Sequence, residues 1–274
     1  MTEAPDKEEP LIATLEGGVL TLVLNRPQRL NAMNQELIGR LAEQFDRAAG
    51  EAEVRAVLMT GTGRAFCAGA DLAGSGAGGG TGVTGADGKA DLGEVMDRLY
   101  NPLIRAIRAL PKPVIAAVNG VAAGGGANLA LAADIVLAAR SARFDQAFVR
   151  IGLIPDLGGT WFLPHSVGDA RARALGMLGS SLTAEEACRM GMIWQVLDDS
   201  ALMDEASKLA RRLAAGPTLS YAAIKRALGT AGTNTLDQQL DLERDSQRLL
   251  GKSADFKEGV AAFLAKRPAN FTGR

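Results

Sequence analysis

Between Val114 and Ala138 the chain passes from an apolar run (Val114–Val118, VIAAV) through Asn119-Gly120-Val121-Ala122-Ala123-Gly124-Gly125-Gly126-Ala127-Asn128 to a second apolar run (Ile135–Ala138, IVLA). Short apolar runs of this length read as buried strands, and the small residues from about Gly125 to Ala132 read as a compact helix between them. The same alternation occurs upstream. Leu20–Leu24 (LTLVL) is a β-rich run after the turn Gly17-Gly18. Asn34–Ala49 predicts a helix with Asn34 as N-cap and Leu37, Leu41 and Phe45 on one face, and Ala56–Thr60 (AVLMT) is a further strand. Repeated strand-then-helix units imply a layered α/β core.

After about Gly168 the pattern turns helical almost throughout. Helices are predicted over Ser200–Ala214, Thr218–Leu228, Thr235–Leu250 and Ser253–Lys266, the last with Ser253 as N-cap. The expected organisation is a disordered tail at 1–10, a core at 11–200 and a C-terminal helical region at 201–274. Within the core, residues 73–90 contain eight glycines and cannot bury much apolar surface; they are expected to form a mobile loop beside a ligand site. No Gly-Lys-Ser/Thr follows them, so this is not a phosphate-binding P-loop.

Composition excludes several classes. The net charge of -1 gives no global field for nucleic acid or an anionic membrane. No apolar run reaches the roughly 20 residues of a bilayer span, and the charged N-terminus lacks a signal pattern, so a cytoplasmic protein is expected. The two cysteines, Cys67 and Cys188, form neither a disulfide framework nor a metal cluster, and no metal site is expected. The one histidine, His165, sits beside Pro164 in what reads as a loop, without a nucleophile elbow.

Two segments carry candidate chemistry. Gly63–Leu72 (GRAFCAGADL) follows a strand, with small residues that let a ligand approach the backbone around Gly69, and Asp71 suits a helix start. Asn119–Asn128 follows another strand and enters a helix, exposing backbone N–H groups at a positive helix terminus. Together, two strand-to-helix turns offer two backbone donors, which is how an oxyanion hole is built.

These segments resemble the crotonase superfamily, the enoyl-CoA hydratase/isomerase family of acyl-CoA enzymes, over nearly the whole chain. Leu24-Asn25-Arg26-Pro27 with Leu30-Asn31-Ala32 resembles the family's first CoA-binding segment. Phe66–Leu72 and Pro113–Asp134 resemble its two oxyanion segments, and Ile151–Thr160 (IGLIPDLGGT) its third signature. The resemblance implies a spiral of ββα units with a helical C-terminal oligomerisation region, in a homotrimer or dimer of trimers. It implies an acyl-CoA thioester substrate and no separate cofactor. The thioester oxygen would be held by the N–H groups of Ala68 and Gly125. Arg26, Leu30, Ala32, Ala68, Ala70, Asp71, Leu72, Gly124, Asn128 and Phe148 would line the substrate and CoA site. Arg29 lies near the first CoA segment, and Phe263 and Lys266 would reach the CoA of a neighbouring subunit.

The departures from the family pattern bear on the reaction. The hydratases' two glutamates are replaced by Asn128 and Phe148, and neither can act as a general base. Asp156 stands where dienoyl-CoA isomerases carry a catalytic aspartate, and Asp145 is a fallback acid. One carboxylate suffices for a proton shuttle. The reaction implied is isomerisation of an acyl-CoA through an enolate. The narrower resemblance, carried by segments such as Asn101-Pro102-Leu103 and Gly152–Asp156, is to members that convert a ring epoxide of an aromatic acyl-CoA to an oxepin and also act as Δ3,Δ2-enoyl-CoA isomerases. The alternatives are a hydratase of other specificity and a non-catalytic CoA-binding relative.

Overall fold

A computed structural model describes residues 9–72 and 91–274. The glycine-rich stretch 73–90 and most of the expected N-terminal tail lie outside the described residues.

Each spiral turn lays a long strand, a short strand and then a helical segment. The long strands β1 (Leu11–Glu16), β2 (Val19–Leu24), β3 (Ala56–Gly61), β5 (Val114–Val118), β7 (Ile135–Ala139) and β10 (Gln195–Leu197) form one sheet in the order β1-β2-β3-β5-β7-β10. β1 and β2 pair as an antiparallel hairpin; from β2 to β10 neighbours run parallel. The short strands β4 (Ala65–Cys67), β6 (Val121–Ala123), β8 (Arg143–Asp145) and β9 (Ser181–Thr183) form a second sheet in that order. β3 and β5 are buried almost along their whole length, as parallel strands covered on both faces must be.

Helix α1 (Gln35–Gly50) begins as its sequence dictates: the Asn34 side chain accepts the Leu37 N–H at 2.9 Å. Its buried face carries Leu37, Leu41 and Phe45, each worth roughly 2 kcal/mol of burial. A short α2 (Leu92–Val95) passes through a π-helical turn, Met96–Tyr100, into α3 (Asn101–Ala109), an element the sequence reading did not anticipate. α4 (Gly125–Leu131) follows β6 and is buried throughout. A 3₁₀ turn at Ala147–Ile151 follows β8.

The remainder is α5 (Gly159–Val167), α6 (Asp169–Leu178), α7 (Ala184–Arg189), α8 (Leu202–Ala214), α9 (Thr218–Thr230), α10 (Leu236–Leu250) and α11 (Ala254–Leu264). Thr235 closes a capping box on α10, and Ser253 caps α11 through the Phe256 N–H at 3.0 Å. Two expectations are corrected. β9 and β10 interrupt the supposed all-helical second half. His165 lies inside α5, not in a loop, stacked on Trp161 at 4.1 Å with Nδ1 2.7 Å from the Trp161 carbonyl.

Candidate active site

The turn after β4 and the turn from β6 into α4 meet at one point because glycine lets them. Gly69 has a φ of +93°, and a β-carbon there would lie 2.8 Å from the Ala123 carbonyl and 3.5 Å from the Gly125 nitrogen. A β-carbon on Gly126 would fall 2.0 Å from the Cys67 carbonyl, so the start of α4 can rest on β4 only without a side chain. Gly125 opens α4, and its N–H therefore has no partner within the helix.

The other turn corrects an assignment. The Ala68 N–H donates to the Leu30 carbonyl at 3.0 Å, so it is already committed. Ala70 forms a parallel bridge with Met33: Met33 donates to Gly69 at 2.7 Å and Asp71 to Met33 at 2.9 Å. In such a bridge the central residue's own N–H faces the opposite side. Among the described residues the Ala70 N–H has no backbone partner, and Ala70 lines the cavity that Gly125 also lines.

That cavity measures about 670 Å³ and is mostly apolar. Ala68, Gly69, Ala70, Leu72, Gly124, Gly125, Phe148 and Asp156 all line it. Among its described lining residues Asp156 is the one carboxylate. Its Oδ1 is buried, has no hydrogen-bond partner among the described residues, and lies 3.4 Å from where a β-carbon on Gly125 would sit. Burial raises the Asp156 carboxyl from its ordinary 3.8 to about 6. The turn that carries it is fixed by its own backbone: the Asp156 carbonyl accepts the Gly159 N–H at 2.8 Å and the Asn128 side-chain amide at 2.8 Å. Asn128, fully buried, in turn accepts from Gln146 Nε2 at 3.0 Å. Asn128 therefore holds the aspartate's turn; it is not among the cavity-lining residues.

Other candidates are placed differently. Arg26 forms an ion pair with Asp71 at 2.7 Å and also bonds the Ala32 carbonyl, so its guanidinium braces the first segment against the second and is spent within the protein. This corrects its expected place lining the substrate and CoA site, since Arg26 is not among the cavity's described lining residues; Arg29 beside it is exposed. Asp71 serves that same brace. Leu30, with φ of +50°, and buried Ala32 shape the first segment without lining the cavity. Asp145, the fallback acid, does not line it either. Phe263 and Lys266 are exposed on the C-terminal region, away from the cavity of their own chain. The Cys67 thiol is buried and pushed up to about 12, which keeps it neutral and unsuited to nucleophilic attack.

Sequence reasoning missed Asn31, Asn119, Gln146 and Tyr100. Asn31 Nδ2 bonds the Thr62 and Ala65 carbonyls at 2.9 and 2.7 Å, and Asn119 Nδ2 bonds Gly63 at 2.9 Å, so both lock the turns that bear the donors. For Asn119 the available signal was an asparagine before glycine at the end of β5. A larger cavity of about 870 Å³, between α3, α5, α9 and α10, has no carboxylate among its described lining residues.

Comparison with known proteins places this geometry. The pattern of the family described as Enoyl-CoA hydratase/isomerase matches residues 14–274. The chain is 54% identical to the 1,2-epoxyphenylacetyl-CoA isomerase of Escherichia coli (strain K12), over 97% of this chain and 99% of that one. It is 50% identical to a Rhodobacter capsulatus protein named "Probable enoyl-CoA hydratase", over 94% and 95%. The crystal structure of an enoyl-CoA hydratase from Polaromonas sp. JS666 superposes with a TM-score of 0.82 at 34% identity, covering 95% of this chain and 99% of the other.

Proposed function

The chain belongs to the enoyl-CoA hydratase/isomerase family, and from that premise we propose that it is an acyl-CoA isomerase which rearranges the ring epoxide of 1,2-epoxyphenylacetyl-CoA to an oxepin and shifts the double bond of 3-enoyl-CoA thioesters. One observation carries the choice of reaction: among the described residues a single carboxylate, Asp156, lines the cavity beside the helix-terminal N–H of Gly125, and Asn128 and Phe148 supply no second base.

Asp156, ionised above about pH 6, removes the proton from the carbon next to the thioester carbonyl. Negative charge moves onto the carbonyl oxygen, where the N–H groups of Ala70 and Gly125 receive it; each such donor is worth about 3 kcal/mol. The protonated Asp156 returns the same proton further along the conjugated system, or, for the epoxide, the shift accompanies ring rearrangement. No water is consumed and the product is isobaric. The apolar cavity keeps the carboxylate basic and suits an aromatic or aliphatic acyl group. The chemistry needs no cofactor beyond the CoA that the substrate carries.

Assembly as a homotrimer or dimer of trimers is proposed on the apolar side chains that α10 and α11 leave exposed, including Leu236, Leu249, Phe256 and Phe263. In that assembly Phe263 and Lys266 would reach a neighbour's CoA. Among the described residues no helix is long and apolar enough to cross a membrane. A cytoplasmic location is proposed on the two unpaired cysteines.

The test is product mass. Incubation with the ring-epoxide thioester and with 3-hexenoyl-CoA is expected to give isobaric products. A product heavier by one water, formed at comparable rate, would replace isomerisation with hydration.

A further inference from the structure

Besides Asp156, the cavity's described lining residues include two more side chains that carry nitrogen or oxygen, Tyr100 and Arg150. Arg150 is exposed and donates to the Gly179 carbonyl at 2.7 Å, so it is directed away. Tyr100 is 2% exposed, and among the described residues its hydroxyl has no hydrogen-bond partner. It ends the π-helical turn Met96–Tyr100, a local rewinding that interrupts the regular helix between α2 and α3 beside the cavity. Tyr100 and Asp156 line the same cavity, and the charge of Asp156 adds to burial in raising the Tyr100 pKa. The two groups do not bond each other.

A buried hydroxyl with no protein acceptor must find one in whatever fills the cavity, and a hydrocarbon acyl chain offers none. An oxygen on the acyl group can. Resting on the function proposed above, we infer that the Tyr100 hydroxyl is a specificity-determining donor that receives an oxygen atom borne by the acyl group close to the carbons between which Asp156 moves its proton. The preferred substrates are thereby oxygenated acyl-CoA thioesters, the epoxide included. Simple enoyl thioesters bind without engaging Tyr100.

The experiment compares wild type with Tyr100→Phe, which keeps the ring and removes only the donor. Equilibrium binding of 3-hydroxyhexanoyl-CoA and hexanoyl-CoA is measured for both proteins, together with thermal unfolding. Wild type is expected to prefer the hydroxy thioester by about tenfold, the worth of one good hydrogen bond. In Tyr100→Phe the two affinities become equal and thermal stability does not fall, because the lost hydroxyl had no protein acceptor among the described residues. An affinity ratio that is the same in both proteins overturns the inference while leaving the isomerase reading intact. Failure of wild type to bind either thioester overturns both.

Discussion

At the scale of the residue, one carboxyl group governs the pH behaviour. Asp156 has its pKa raised by burial to about 6, and it must be ionised to take a proton. We expect kcat/KM for 3-hexenoyl-CoA to fall about tenfold per pH unit below 6 and to level off above it. The same shift has a stability consequence of opposite sign. A carboxyl with a raised folded-state pKa stabilises the fold only while protonated, fully so below its unfolded value near 3.8 and no longer once pH has risen through about 6. Asp156→Asn, which removes the charge, is therefore expected to melt no lower than wild type at pH 7, a result that thermal unfolding followed by circular dichroism would check. Asp156 was legible in the sequence because it replaces a small residue within a glycine-flanked turn. The partner donor was not: the choice between Ala68 and Ala70 depends on the peptide orientation that a positive φ at Gly69 imposes, and side-chain identity says nothing about which N–H is left free. Arg26 was misread for a related reason. A basic residue beside a CoA-like segment looks available until its ion pair with Asp71, 45 positions away, is seen.

At the scale of the element, the site depends on α4 and on the turn before α5. Gly126→Ala would drive a methyl group to 2.0 Å from the Cys67 carbonyl. The overpacking penalty of about 1–3 kcal/mol outweighs the gain of about 1 kcal/mol in helix propensity. A lowered melting temperature is expected, and unchanged melting would mean that α4 does not rest on β4 as described. Asn128→Asp keeps the acceptor for Gln146 but loses the donor to the Asp156 carbonyl and sets a second negative charge nearby. The pH–rate profile should shift its acid limb above 6, and kcat should fall about tenfold or more as the turn loosens. An unshifted profile would show that Asn128 does not position the aspartate. The long strands β5 and β7 were legible as runs of five apolar residues, and β2 and β3 as apolar runs broken by Thr21 in the one and ending at Thr60 in the other. β4, β6, β8 and β9 span three residues each, too few to display a period, and only the paired sheet reveals them. The π-helical turn left no signature beyond Pro102 at the start of α3.

At the scale of the whole molecule, the spiral brings together turns from residues 69, 125 and 156, which are remote in sequence and share one cavity. The α10 and α11 faces leave apolar side chains exposed, and sedimentation is expected to give three or six times the 28.5 kDa chain mass; a monomer at micromolar concentration would contradict that assembly. The account as a whole stands on one carboxylate moving one proton opposite two main-chain donors. It is tested most directly by following exchange of the α-proton of 3-hexenoyl-CoA with deuterated solvent, alongside isomerisation, in wild type and Asp156→Asn. Both rates are expected to fall by about 10²–10⁴ in the variant, the range typical of a lost general base, while thioester binding changes little. Retention of both rates in Asp156→Asn would contradict the account.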